Sequence, residues 1–127
     1  MKLRIQGNSL RLRLTRPELK RLEEGGEVAE IIHFGSELEE SLRYTLTVAT
    51  QAEPVAVNYH ANSIAVSITA DQMSQWSEES QVGIYARLDV GSAGTLEVAV
   101  EKDFKCLENR GEEDKDAFPN PLAGKAC

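Results

Sequence analysis

The sequence predicts an α+β fold in which a ββαββ unit occurs twice, forming an eight-stranded, mostly antiparallel barrel or sandwich with two short helices. Three observations predict it. Shifted by 54 residues, the chain aligns with itself without gaps from Met1 to about Thr50. In both copies apolar and polar residues alternate at the period of two that marks a strand with one buried face. Both copies also carry a helix-start signal at the same place, directly after the second alternating run.

Identities in this self-match are few, and the pattern carries it. Asn8-Ser9 falls on Asn62-Ser63, Thr15 on Thr69, Glu24 on Glu78, Val28 on Val82 and Leu42 on Leu96. Leu3–Gln6 and Leu10–Leu14 read as strands joined at Gly7-Asn8, a pair suited to the positive φ angles of a tight hairpin. Their counterparts run through Val57 and Tyr59, then Ile64, Val66 and Ile68, with Ala61 where Gly7 stands. Thr15-Arg16-Pro17-Glu18 is a capping box with proline in the first turn, where a missing N–H costs nothing. Leu19 and Leu22 share the buried face of that helix, and Gly25-Gly26 ends it. Thr69-Ala70-Asp71-Gln72 repeats the device, with Met73 and Trp76 as its buried pair, so Trp76 reads as core.

Two further strands follow each helix. They are Val28–Phe34 and Leu42–Val48 in the first copy, and Val82–Leu88 and Leu96–Val100 in the second. Turn-rich stretches Gly35–Ser41 and Asp89–Thr95 separate them. The whole chain, 1–127, reads as a single domain: repeat 1–50, repeat 55–104, and a C-terminal tail 105–127. That tail holds five Asp/Glu between Glu108 and Asp116, then Phe118-Pro119-Asn120-Pro121. It reads as a solvated strap anchored by Phe118.

A chain of 127 residues matches the usual size of one domain and buries enough apolar surface to fold without staples. The net charge of −7 is unevenly spread: +6 over residues 1–22, −11 over 23–102 and −2 over 103–127. An acidic whole argues against nucleic acid and anionic membranes as partners, since both need a basic footprint. The N-terminal run alternates charge with apolar residues, unlike a signal peptide, and no segment is apolar enough to span a bilayer. The expectation is a cytoplasmic protein with Cys106 and Cys127 reduced.

The polar positions between the apolar ones make a second sheet face. Arg4, Arg11, Arg13, Arg43 and Arg87 on such a face are candidates for binding an anion, because guanidinium grips phosphate or carboxylate with two hydrogen bonds. The competing expectation is that the apolar positions face inward and the arginines form a solvated exterior. Glu97 and Glu101, four apart on one strand face, read as flanking solvent. His33, His60, Cys106 and Cys127 are the candidate metal or redox set, although metal sites of the zinc-finger kind use closely spaced pairs. If Cys106 and Cys127 met as a disulfide, closing a loop of about 20 residues would stabilise the fold by roughly 3 kcal/mol. Nucleophile motifs, phosphate loops and dinucleotide fingerprints are absent, and Gly91-Ser92-Ala93-Gly94 precedes no helix.

Two resemblances bear on these readings. The duplicated strand–helix–strands plan resembles that of the CYTH-like triphosphate tunnel enzymes, whose barrel is lined with charge. Those enzymes open with a Glu-x-Glu-x-Lys metal motif, and Met1–Gln6 holds no carboxylate, so no catalytic residue carries over. Pointing the charged face inward would also leave many apolar side chains in water, at roughly 25 cal/mol per Å². Secondly, Gly7-Asn8-Ser9-Leu10-Arg11-Leu12-Arg13, Asp103-Phe104-Lys105-Cys106-Leu107 and Glu113-Asp114-Lys115-Asp116-Ala117-Phe118-Pro119-Asn120-Pro121 look like the signature of a family of small uncharacterised bacterial proteins. That resemblance spans the chain and implies a domain of unknown function.

The reading that follows is a non-enzymatic binding or interaction domain needing no cofactor, whose tail can complete a surface beside the basic first hairpin. Its partner would be a protein or an anionic small molecule, and a homo-oligomer is an open option. The alternatives are binding or hydrolysis of a phosphate ester or polyphosphate, and a metal or thiol site.

Overall fold

The structure, a computed structural model, describes residues 1–104 and Phe118. Eight strands and two helices follow one another as β1 (Lys2–Gln6), β2 (Ser9–Leu14), α1 (Arg16–Glu23), β3 (Val28–His33), β4 (Ser41–Val48), β5 (Val55–His60), β6 (Ser63–Ile68), α2 (Ala70–Trp76), β7 (Gly83–Asp89) and β8 (Thr95–Lys102). Single 3₁₀ turns at Leu38–Glu40 and Gly91–Ala93 precede β4 and β8. The tail beyond Phe104, with Cys106 and Cys127, lies outside the described residues apart from Phe118. That phenylalanine is 95% exposed, so it does not anchor the tail as expected.

The strands form two four-stranded sheets, ordered β1-β2-β8-β7 and β3-β4-β6-β5. This corrects the barrel alternative: the sheets do not close, and the chain forms a sandwich. Each sheet combines the first hairpin of one half with the last hairpin of the other, and they meet in parallel, β2 on β8 and β4 on β6. All four hairpins are antiparallel. Parallel neighbours need a crossover connection. Between β4 and β6 it is the segment 49–54 with β5, and between β2 and β8 it is the whole second sheet, which the chain enters through α1 and leaves through α2.

A single core fills the space between the layers. Leu12, Leu14 and Val100 of the first sheet, Leu46, Val66 and Ile68 of the second, and Leu22 and Trp76 of the helices are each 1% exposed or less. An eight-stranded barrel is only just wide enough for its own inward side chains. Helix side chains the size of Leu22 and Trp76 therefore need the sheets held apart. The Trp76 indole N–H donates to the Val82 carbonyl at 3.2 Å, so its polar edge is satisfied.

The strand registers expose an error in the gapless self-match. Ser9 pairs with Glu97 and Arg43 with Ser63, which are the same pairing displaced by 54 residues in the two sheets. The last hairpins differ: Val28 pairs with Leu46, whereas Ile84 pairs with Val100. The counterpart of Val28 is Ile84, 56 residues on, and not Val82. Val28 and Ile84 are 1% and 6% exposed, while Val82 is 48% exposed. The segment from α2 to β7 is two residues longer than that from α1 to β3, and the following loop is shorter by two. A slip of two keeps every side chain on its own face, so the alternation alone could not reveal it.

Two asparagines explain the clearest identity between the halves. Asn8 Nδ2 donates to the Thr95 carbonyl at 2.9 Å, and the Glu97 N–H donates to the Asn8 carbonyl at 3.1 Å. In the other sheet Asn62 Nδ2 donates to the Glu39 carbonyl at 2.9 Å, and the Arg43 N–H donates to the Asn62 carbonyl at 2.9 Å. Each hairpin turn is thereby pinned to the strand it meets in parallel.

Candidate functional site

Because Leu10, Leu12 and Leu14 of β2 point into the core, Ser9, Arg11 and Arg13 must point outward. The same alternation turns Lys2 and Arg4 of β1, Glu97, Ala99 and Glu101 of β8, and Gly83, Tyr85 and Arg87 of β7 to the outer face. Strand pairing arranges them in three rows: Gln6-Ser9-Glu97-Arg87, Arg4-Arg11-Ala99-Tyr85 and Lys2-Arg13-Glu101-Gly83. Four of the five candidate arginines therefore share one surface. Arg43 does not; it lies on the second sheet, 2.9 Å from Glu27.

Directly opposed like charges destabilise a sheet, and Arg4 faces Arg11 while Lys2 faces Arg13. Carboxylates offset this. Glu101 Oε1 lies 3.3 Å from Arg11 Nε and 3.4 Å from Arg13 Nε, and its side chain is only 13% exposed. Lys2 Nζ reaches Asp103 at 3.0 Å, and Arg87 grips Glu97 Oε1 through Nη2 at 2.8 Å and Nε at 3.2 Å. Glu101 also accepts a 2.7 Å hydrogen bond from the Tyr85 hydroxyl. Burial, the hydrogen bond to Glu101 and the Glu101 charge push the Tyr85 hydroxyl up to about 12, against the opposing pull of Arg11 and Arg13.

Gly83 makes room for this contact. A Cβ there would stand 2.7 Å from the Val100 carbonyl oxygen, 2.9 Å from Glu101 Cγ and 3.1 Å from the Tyr85 hydroxyl. Between the charged rows a shallow groove of about 640 Å³ opens, with Ser9 and Ala99 as its floor and Arg11, Tyr85, Arg87 and Glu97 as its walls. Small floor residues beside two guanidiniums and an aromatic ring can admit a planar or tetrahedral anion with an attached ring or chain.

Sequence reasoning placed Glu101 in solvent and missed its part in this face. Its role depends on β8 lying against β2, a long-range parallel pairing that alternation does not encode. The two candidate histidines do not converge. His33 and His60 sit on β3 and β5, the opposite edges of the second sheet, with two strands between them. Among the described residues, His, Cys, Asp and Glu form no group of three or more able to hold a metal ion. No helix among those residues is long and apolar enough to cross a membrane.

The fold and this face define a small two-sheet α+β domain bearing a charged, grooved sheet surface. The chain belongs to a family of unknown function (DUF7009), whose model matches residues 1–122. Comparison with curated proteins and with solved structures gives no match.

Proposed function

We propose that this chain is a non-enzymatic, cytoplasmic binding domain that takes an anionic group of a protein or small-molecule partner on the outer face of its first sheet. The groove between Arg11 and Arg87, floored by Ser9 and Ala99, carries the reading. Glu101 and Glu97 hold these guanidiniums in place, so less side-chain freedom is lost on binding than for unsupported arginines. Five cations (Lys2, Arg4, Arg11, Arg13 and Arg87) face four carboxylates (Asp89, Glu97, Glu101 and Asp103), which leaves this surface net positive within an acidic chain. The matched registers of the two halves support an origin by duplication of one ββαββ unit. The charged face then belongs to only one of two similar sheets.

Thermal shift at low salt tests the proposal, with tripolyphosphate, citrate and nucleoside triphosphates as probes. A ligand bound only by the native state at about 100 times its Kd stabilises by roughly 2.7 kcal/mol. The expected result is a clear rise in Tm, lost in Arg11→Ala and Arg87→Ala, screened by salt, and kept in Arg43→Ala on the other sheet. A flat response to every probe would overturn it, as would a rise that Arg11→Ala leaves intact. Release of phosphate from tripolyphosphate in the same samples would replace binding with hydrolysis.

A further inference from the structure

The four sheet edges are defended unequally. β1 carries Lys2 and Arg4, and β7 carries Arg87 and Asp89, charges that keep another strand from adding to the first sheet. On β3 and just past its end, the run Ile31-Ile32-His33-Phe34 holds no Asp, Glu, Lys or Arg. An ordinary edge strand buries alternate residues, yet this run is exposed on both faces, with Ile31 at 48%, Ile32 at 46% and Phe34 at 71%. By register, the residues of β7 and its end that match this run are Arg87, Leu88, Asp89 and Val90. Where β7 has an arginine held by Glu97, β3 has Ile31 beside Arg43. Over this run one of two matched edges is guarded and the other is open; the one carboxylate of β3, Glu30, lies before it and is held by the Met1 amino group at 2.8 Å.

We propose that β3 pairs antiparallel with β3 of a second copy of this chain about a twofold axis, joining the two second sheets into one of eight strands. The unpaired backbone groups of an edge strand supply the hydrogen bonds. The β-branched pair Ile31 and Ile32, with Phe34, supplies apolar surface on both faces of the new junction. A second copy fits because a twofold pairing sets the same uncharged run on both sides and closes after two chains. Each copy carries −7, so an uncharged run lets two copies approach with little repulsion. β5 also lacks formal charge, but Tyr59 is its one large exposed apolar side chain, so β5 offers a second copy less apolar surface than Ile31, Ile32 and Phe34 do. β3-to-β5 pairing between copies would be head-to-tail and would not close.

Analytical ultracentrifugation of the full chain from about 1 to about 100 μM reads the assembly directly. The expected species is a dimer of 14.0 kDa chains, tightened by salt as it screens the net charge. Hydrogen exchange of the β3 amides should slow as concentration rises. Ile31→Lys and Phe34→Glu should each weaken dimerisation at least about tenfold with an unchanged circular dichroism spectrum, whereas Tyr59→Lys on β5 should leave it intact. A wild-type monomer throughout the range, a dimer that survives both β3 substitutions, or open-ended oligomers lost in Tyr59→Lys would each overturn the proposal.

Discussion

The Tyr85 hydroxyl and Glu101 Oε2, 2.7 Å apart, connect the edge strand β7 to the arginine strand β2 across the small floor of the groove. The other carboxylate oxygen of Glu101 faces Arg11 and Arg13. A single, mostly covered carboxylate thus sets the position of a tyrosine and two guanidiniums together. If the groove binds anions, its geometry depends on Glu101 as much as on the arginines.

This contact has a readable pH signature. The Tyr85 hydroxyl titrates at about 12, above the ordinary value of 10.0. A raised pKa favours the protonated folded form, so its contribution to stability is complete below pH 10 and is lost as pH rises through about 12. Absorbance titration of tyrosinate should show one of the three tyrosines ionising last, and Tyr85→Phe should remove that step. Glu101→Gln should return it toward the ordinary range. A last step that persists in Tyr85→Phe would assign it to another residue.

The second hairpin turn holds a conformational strain that can be relieved. Gly7 adopts φ 56° in the first turn, where glycine meets no penalty, whereas Ala61 adopts φ 49° in the second. An L-residue in the left-handed region costs about 1–2 kcal/mol, partly offset because glycine loses more chain entropy on folding. Ala61→Gly should therefore stabilise the protein by about 0.5 kcal/mol, seen in urea unfolding as a higher midpoint with the same slope.

Helix α1 should report acid conditions. Burial would raise Glu18, but hydrogen bonds from the Met1 amino group and from the Thr15 N–H and hydroxyl outweigh it and hold the carboxyl below its ordinary 4.5. A depressed carboxylate contributes stability that is complete above pH 4.5 and is lost as pH falls through the folded-state value. Glu30 shares the Met1 amino group at 2.8 Å. Unfolding free energies measured between about pH 2 and 6 should fall less steeply in Glu18→Gln than in the wild type. Parallel curves would remove Glu18 from this account.

The sequence shows strands and helices here because their periods are written in side chains: Leu10, Leu12 and Leu14 alternate, and Thr15 and Thr69 each open a helix. Partnership between strands is not written that way. Alternation states that Glu101 faces outward but not that Arg11 and Arg13 stand beside it, since that follows from a parallel pairing across most of the chain. The exchange of hairpins between sheets is hidden for the same reason. The two-residue slip that makes Ile84 the match of Val28 keeps the inward pattern, so no apolar position betrays it.

What the self-match does isolate is the pair Asn8 and Asn62, and their roles can be separated by substitution. Both side chains donate to a backbone carbonyl of the strand-entry segment opposite, at 2.9 Å in each case. Neither is deeply buried, so losing one bond should cost about 0.5–1.5 kcal/mol. Asn62 also adopts φ 63°, a conformation asparagine tolerates better than alanine. Asn62→Ala should therefore destabilise more than Asn8→Ala. Asn62→Gly keeps the turn and removes only the bond, so its loss should fall close to that of Asn8→Ala. The two bonds lie in different sheets, and the double variant Asn8→Ala with Asn62→Gly should be additive within about 0.5 kcal/mol. Clear non-additivity in denaturant unfolding would mean that the parallel junctions of the two sheets are coupled through the shared core.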